Sequence, residues 1–200
     1  MDLEQATAMP ADLGVGVAVD LDLSLWLPGP TTQTPAEWLE LARAGCARDF
    51  GIILDSSEGA YLTELLEDFA GRELFGQFRF LRLRSLTDTP LVMQLGVFVG
   101  APEGELAATL TGLDPDVTYY DREPQVDMID EERVLRRSIA YQVVDGIRPV
   151  VRYHRRATEI SADVVLSCAG ADLRAVAQGL GELDGLARAV WLVDESGTRH

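Results

Sequence analysis

Few residue types in this chain of 200 residues could perform covalent chemistry. There are two cysteines, Cys46 and Cys168, two histidines, His154 and His200, and neither lysine nor asparagine. Without lysine, Schiff-base catalysis and the lysine-dependent phosphate sites of kinases and P-loop enzymes are excluded. A thiol nucleophile with a histidine base remains, and Cys168 and His154 are the pair to weigh. Cys46 falls in a predicted helix and is interpreted as a small core residue.

The expected strand register separates that thiol from that imidazole. A hairpin turn centred near Glu159 would place His154 opposite Val164 and Cys168 opposite Val150. At about 3.3 Å per residue, four strand positions put the two groups about 13 Å apart. A nucleophile and its base must be within hydrogen-bond reach, so we interpret Cys168 as a buried structural cysteine.

Cationic side chains concentrate in one segment. Residues 133–156 contain seven arginines and one acidic residue, Asp145, in a chain whose net charge is -16. Guanidinium groups pair well with carboxylates and phosphates, so one hypothesis is a site for an anion or an acidic partner. The alternative is internal neutralisation, in which acidic helices and the acidic run 127–132 pair with these strands. The sequence leaves both open.

The dipeptide Asp145–Gly146 sets the expected register of these arginines. A two-residue type I′ turn at this position would join two antiparallel strands and place Arg137 opposite His154. The turn near Glu159 would bring Asp163 beside Arg155. Four side chains then share one face of the sheet and form the candidate binding site: Arg137, Arg152, His154 and Arg156.

Metal and cofactor patterns are incomplete. The run 20–24 begins like a calcium loop, but Leu25 and Thr31 stand where glycine and glutamate are required. No histidine or cysteine pair has zinc spacing, and the run 14–16 lacks the third glycine of a dinucleotide fingerprint. We therefore predict no metal, no cofactor and no catalytic residue. The 33 acidic residues allow many carboxylate pairs without singling one out.

Hydrophobic periodicity and capping residues define the elements that must position these groups. Thr34, Pro35 and Glu37 form a strong helix start, since threonine can cap and glutamate at the third position can bond back to it. The expected strands are 14–27 (one or two), 78–87, 91–99, 116–129 (one or two), 133–143, 148–156 and 162–168. Four helices are expected. The first covers 34–49, and the second starts after Asp55 or Ser56 and ends within 71–76. A short third helix covers 105–110, and the last helix starts near Asp172.

This order of elements predicts an α+β fold. Short hairpin connections favour an antiparallel β-sheet, and the amphipathic helices would pack on its faces. We expect one domain over residues 13–193, a loose N-terminal tail over 1–12 and a C-terminal tail over 194–200.

The C-terminal half resembles a known family. An arginine-bearing strand and the Asp145–Gly146 hairpin lead into VVRYHRR, then the apolar strand ADVVLSC and the helix LRAVAQGLGELDGLARAVWLV. This order, with the run 183–187 (LDGLA) before Trp191, is similar to Mog1/PsbP-like proteins, especially small actinobacterial ones of unknown role. The first helix, which starts PAEW, agrees, and the resemblance covers about 13–193. It implies an α/β/α sandwich and a largely non-enzymatic binding or assembly role, and it assigns no functional residue.

Net charge and the chain start narrow the function further. A charge of -16 repels phosphate backbones and anionic lipids, so neither nucleic acid nor a membrane is an expected partner. The first residues lack a signal-peptide pattern, and two unpaired thiols suit the cytoplasm, which is the expected location. We predict a non-catalytic binding or accessory protein that engages a protein partner, or itself, through a sheet surface. The alternatives are a carboxylate-dependent hydrolase or transferase and a structural homodimer paired through an exposed sheet edge.

Overall fold

A computed structural model describes residues 14–71, 78–101, 116–121, 123–143, 145–169 and 172–200. The predicted tail over 1–12 and the predicted helix over 105–110 lie outside the described residues. The strands are β1 (Val15–Val19), β2 (Trp26–Pro28), β3 (Phe78–Arg82), β4 (Leu91–Val99), β5 (Gln125–Asp130), β6 (Leu135–Val143), β7 (Ile147–Ala157), β8 (Ala162–Cys168) and β9 (Val190–Asp194). The α-helices are α1 (Pro35–Phe50), α2 (Ser57–Gly71) and α3 (Leu173–Ala189).

The strands form a large antiparallel sheet and a small one. Seven strands make the large sheet in the order β2-β3-β4-β8-β7-β6-β5, and every neighbouring pair is antiparallel. Strands β1 and β9 form a separate antiparallel pair. This arrangement confirms the α+β class.

Helices cover both faces of the large sheet. On one face, α3 buries Leu183 and Leu186 in a core shared with Leu95, Tyr153 and Leu166. On the other face, α1 and α2 pack on the β3–β4 half through a second core, which includes Trp38, Leu62, Leu66, Phe69, Leu81 and Leu83. The layers are therefore helix, sheet and helix. On the second face, α1 and α2 cover the β3–β4 half of the sheet.

The predicted start of α1 is confirmed in its details. The Thr34 hydroxyl accepts a hydrogen bond from the Glu37 amide at 3.3 Å, and the Glu37 carboxylate accepts one from the Thr34 amide at 3.0 Å. Pro35 is the first helical residue, and the helix ends at Gly51, whose φ of 67° suits glycine. This reciprocal cap satisfies amides that no helical carbonyl can reach.

The end of the chain folds back on β9 instead of trailing away. Within the predicted tail over 194–200, Arg199 forms a β-bridge with Val193, and the His200 amide donates to the Leu192 carbonyl at 2.8 Å. None of the helices in the described ranges combines the length and apolar character needed to cross a bilayer.

The β6–β7 hairpin differs from its predicted register by one residue. Strand β6 ends at Val143 and β7 begins at Ile147, so the loop has three residues and not two. Asp145 and Gly146 do lie in the reversal with positive φ of 48° and 116°. The expected type I′ turn is wrong, because a three-residue loop shifts the pairing and places Arg137 opposite Tyr153.

The β7–β8 hairpin is shifted by one residue as well. His154 lies opposite Val165, and Cys168 lies opposite Val151, which is three positions from His154 on β7. Because successive side chains on a strand alternate between faces, His154 and Cys168 point to opposite sides of the sheet. Cys168 and His154 therefore cannot form a nucleophile–base pair. Their side chains lie on opposite faces of the sheet, in addition to being separated along it.

Candidate binding site

Three of the four predicted site residues share a face, and the fourth does not. Arg152, His154 and Arg156 alternate along β7 and therefore point to the same side of the sheet. Arg137 pairs with Tyr153, so it lies on the opposite side, under α3. The prediction that all four lie together is wrong for Arg137, since a slip of one residue turns every side chain of a strand to the other face.

Arg137 is occupied in holding α3 to the sheet. Its Nη1 donates to Asp184 of α3 at 2.8 Å, and its Nη2 donates to Asp127 of β5 at 2.6 Å. The Tyr153 hydroxyl donates to the same Asp184 at 2.8 Å. Burial, reinforced by the Asp184 charge, raises the pKa of Tyr153, which stays protonated as the donor. These groups connect three elements and engage both terminal nitrogens of Arg137.

A buried carboxylate, Asp163, organises two of the three predicted β7 residues that remain, His154 and Arg156. It lies opposite Arg156 on the neighbouring strand, not beside Arg155 as predicted. His154 Nε2 lies 2.7 Å from one Asp163 oxygen, and Arg156 Nη1 lies 2.6 Å from the other. Only 1% of Asp163 is exposed. Arg156 Nη1 also donates to the Ala101 carbonyl at 3.1 Å, so this arginine is fixed from two sides.

The contact with Asp163 orients the His154 ring. A carboxylate accepts, so Nε2 carries the proton and Nδ1 is left as the second nitrogen. Among the described residues, the His154 side chain hydrogen-bonds to Asp163 alone, and 13% of it is exposed. The buried Cys168 thiol, whose pKa burial raises to about 12, is on the other face.

Residues that the sequence reasoning did not select complete this surface. Arg136 lies opposite His154 and is exposed, and Met128 lies opposite Arg136. Val126 lies two positions before Met128 on the same face, and each of these apolar side chains is 46% exposed. We call the set Val126, Met128, Arg136, Arg152 and His154 the β5–β7 surface. The sequence predicted a strand within 116–129, which covers Val126 and Met128. It did not reveal that this strand pairs with β6, so neither residue could be placed beside Arg136.

Several of the other arginines are neutralised internally, as the alternative hypothesis held. Arg133 pairs with Asp130 at 2.6 Å, within the acidic run 127–132. Arg155 is 3% exposed, stacks over Trp191 and donates to the main-chain oxygen of His200 at 2.6 Å. Burial lowers the pKa of Arg155 to about 10. The cationic segment is thus divided between internal pairs and the β5–β7 surface.

Carboxylate chemistry finds little support in the described residues. Where a carboxyl pKa there departs clearly from its ordinary value, hydrogen bonds to the carboxylate lower it, as for Asp22, Glu37, Asp127, Asp130, Asp172 and Asp194. A general acid needs the opposite shift. The described ranges also contain no group of three or more histidine, cysteine, aspartate or glutamate side chains that could hold a metal ion.

Comparison of the chain with models of protein families, with curated proteins and with solved structures found no match. The resemblance to Mog1/PsbP-like proteins therefore stays a prediction.

Proposed function

We propose that this protein is a non-catalytic binding protein that engages an acidic protein partner through the β5–β7 surface. The observation that carries the proposal is the row formed by Met128, Arg136 and His154 across three strands, on the sheet face opposite α3. The row combines an exposed cation with an exposed apolar side chain, and arginine and methionine are enriched in protein interfaces.

Charge supports an acidic partner. The protein as a whole is strongly acidic, so a cationic surface on it favours an approaching negative patch at this place and repels it elsewhere. Arg136 is exposed and forms no ion pair within the described residues, unlike Arg133 and Arg137. Its guanidinium is available for bidentate pairing with a partner carboxylate.

Order in the β7 side chains supports binding as well. Asp163 fixes His154 and Arg156 before any partner arrives. Groups that are already ordered lose less conformational entropy on association, which favours affinity.

The edge strand β5 is poorly suited to pairing with a strand from a second copy of the protein, so binding through the β5–β7 surface is favoured over dimerisation through this edge. A bulge interrupts the pairing of β5 between Met128 and Asp130. The Ile129 carbonyl is occupied by two donors from Arg188, at 3.0 and 3.1 Å. Bulges and occupied backbone groups are features that discourage the addition of another strand at an edge.

The test is a matched pair of double variants in an affinity capture from cells that express the protein. Arg136→Glu with Met128→Ala alters the β5–β7 surface, and Arg48→Glu with Leu41→Ala alters another exposed arginine and another exposed apolar residue, both on α1. We expect specific partners, identified by mass spectrometry, to be lost with the first variant and kept with the second. Equal capture by both variants, at unchanged circular dichroism, would refute the proposal.

A further inference from the structure

Residues 195–200 fold back along the edge of β9 that β1 does not occupy. Arg199 forms an antiparallel bridge with Val193, and the His200 amide donates to the Leu192 carbonyl at 2.8 Å. Strand β1 pairs with the other edge of β9. We call residues 195–200 the clasp.

The clasp is held by polar contacts and has no apolar core of its own. Its sequence, ESGTRH, contains no large apolar side chain, and residues 195–199 are all exposed. One oxygen of Asp194 accepts from the amides of Ser196 and Thr198 at 2.9 and 3.0 Å, and the other lies 2.9 Å from His200 Nε2. A segment that buries little apolar surface can open at a low free energy, without unfolding of the rest of the protein.

The clasp supplies the hydrogen bond of a buried cation, Arg155. This residue alternates with Tyr153 and Ala157 on the α3 side of β7 and is 3% exposed. Its Nη2 donates to the His200 main-chain oxygen at 2.6 Å, which is its single hydrogen bond among the described residues. A guanidinium has five N–H donors in a planar fork that matches a carboxylate. A main-chain oxygen therefore occupies a position that suits a carboxylate.

The surroundings of Arg155 favour an anion. Burial, reinforced by the Arg133 charge, lowers the pKa of Arg155 to about 10, so the guanidinium stays charged at neutral pH. Both guanidinium groups lie over the Trp191 ring, that of Arg133 at 4.5 Å and that of Arg155 at 5.8 Å from its centre. Asp130 is paired with Arg133, and no described carboxylate forms an ion pair with Arg155. A buried charge without a counter-ion is costly, so a carboxylate that reached Arg155 would be bound favourably.

We propose that the clasp is a displaceable strap over a peptide-binding site, which takes the carboxylate end of an extended peptide. The carboxylate binds Arg155 in place of the His200 main-chain oxygen, and the peptide backbone pairs with β9 in place of residues 199–200. Strand addition at a sheet edge and capture of a terminal carboxylate are both known modes of peptide recognition. The clasp itself shows that this edge of β9 accepts a strand.

The closed clasp competes with the peptide, because both use Arg155 and the same edge of β9. A ligand that binds only the open form has its apparent affinity reduced in proportion to the fraction of molecules that are open. Loosening the clasp should therefore increase the affinity for the peptide, whereas a peptide site elsewhere on the protein would not respond.

The first experiment uses a fluorescein-labelled peptide with the sequence of residues 198–200 and a free carboxylate end, titrated with the full chain and followed by fluorescence anisotropy. A second peptide, which ends in a carboxamide, tests the role of the charge. Gly197→Val loosens the clasp, because Gly197 has a φ of 83° that valine disfavours. Gly45→Val is the control, since it adds the same side chain to open space on α1.

We expect Gly197→Val to bind the carboxylate peptide about tenfold more tightly than the wild type and Gly45→Val do. The carboxamide peptide should bind Gly197→Val about tenfold more weakly than the carboxylate peptide, because it lacks the charge-assisted bonds to Arg155. Equal affinity for the two peptides, equal affinity of the two valine variants, or no binding to Gly197→Val would overturn the proposal.

Two further measurements locate the site. Arg155→Gln, combined with Gly197→Val, should reduce the affinity for the carboxylate peptide to that for the carboxamide. Amide NMR shifts need no substitution at the buried arginine, so they decide the question even if that variant does not fold. In Gly197→Val the peptide should shift the amide signals of Leu192 and Val193, and shifts confined to the β5–β7 surface would contradict the proposal. The two sites lie on opposite sides of the large sheet, so this result and that of the capture experiment can fail separately.

Discussion

At the scale of single residues, Asp163 decides the local structure of the candidate site. It is buried, and each of its oxygens contacts a different side chain of β7, one from His154 and one from Arg156. A buried charge without its partner is costly, so removal of the carboxylate charge affects more than one hydrogen bond.

We predict that Asp163→Asn lowers the free energy of unfolding by about 3 kcal/mol, because it leaves the Arg156 guanidinium without its carboxylate. Urea unfolding followed by circular dichroism measures this loss. Asp49→Asn is the control, since the pair of Asp49 with Arg48 is exposed and should contribute little to stability. Equal small effects of both substitutions would show that the Asp163 contacts add little to stability.

At the scale of elements, the sequence was sufficient to predict features that are set by residues close together in the chain, such as helix starts. Thr34 and Glu37 mark a helix start because the cap is closed within four residues. Asp172 marks another for the same reason, since its carboxylate accepts from the Ala175 amide at 2.7 Å. Alternation and capping therefore predicted the described helices, most of the strands and the antiparallel class of the sheet.

Register depends on information that the turn sequence does not contain. The dipeptide Asp145–Gly146 suits a two-residue turn and also occurs in this three-residue loop, and the two cases differ by one position in every pair along β6 and β7. The contact of Arg137 with Asp184 joins residues 47 positions apart, so no local pattern could reveal it. The choice of Arg152, His154 and Arg156 survived because it needed only alternation within one strand.

The register itself is open to a direct test with two adjacent arginines. Arg137→Ala should lower the free energy of unfolding by about 2 kcal/mol, because it leaves Asp184 and Asp127 without their cation and loosens α3. Arg136→Ala should change it by less than about 0.5 kcal/mol, because Arg136 is exposed. The register expected from the turn instead places Arg137 on the same face as His154, away from Asp184 and α3. A larger effect at Arg136 than at Arg137, measured by urea unfolding, would contradict the observed pairing.

At the scale of the whole molecule, charge is distributed unevenly between inside and outside. Arginines such as Arg82, Arg137 and Arg155 are buried or nearly so, and most acidic side chains of the described residues are exposed. The surface is therefore strongly negative, and mutual repulsion between its carboxylates opposes the compact state. Exposed ion pairs offset little of this, since each contributes at most about 1 kcal/mol.

Salt should therefore stabilise this protein at neutral pH. Adding NaCl to about 0.1 M shortens the Debye length to about 10 Å, which screens repulsion between distant carboxylates more than it weakens close buried pairs. We expect the midpoint of thermal unfolding at pH 7 to rise with NaCl, and to rise much less near the isoelectric point of about 4.4, where the net charge is small. Replacing NaCl with KCl should give the same curve, because screening does not depend on the identity of the cation. A midpoint that falls with salt at pH 7 would mean that ion pairs such as those of Asp163 and Asp184 outweigh the repulsion of the surface.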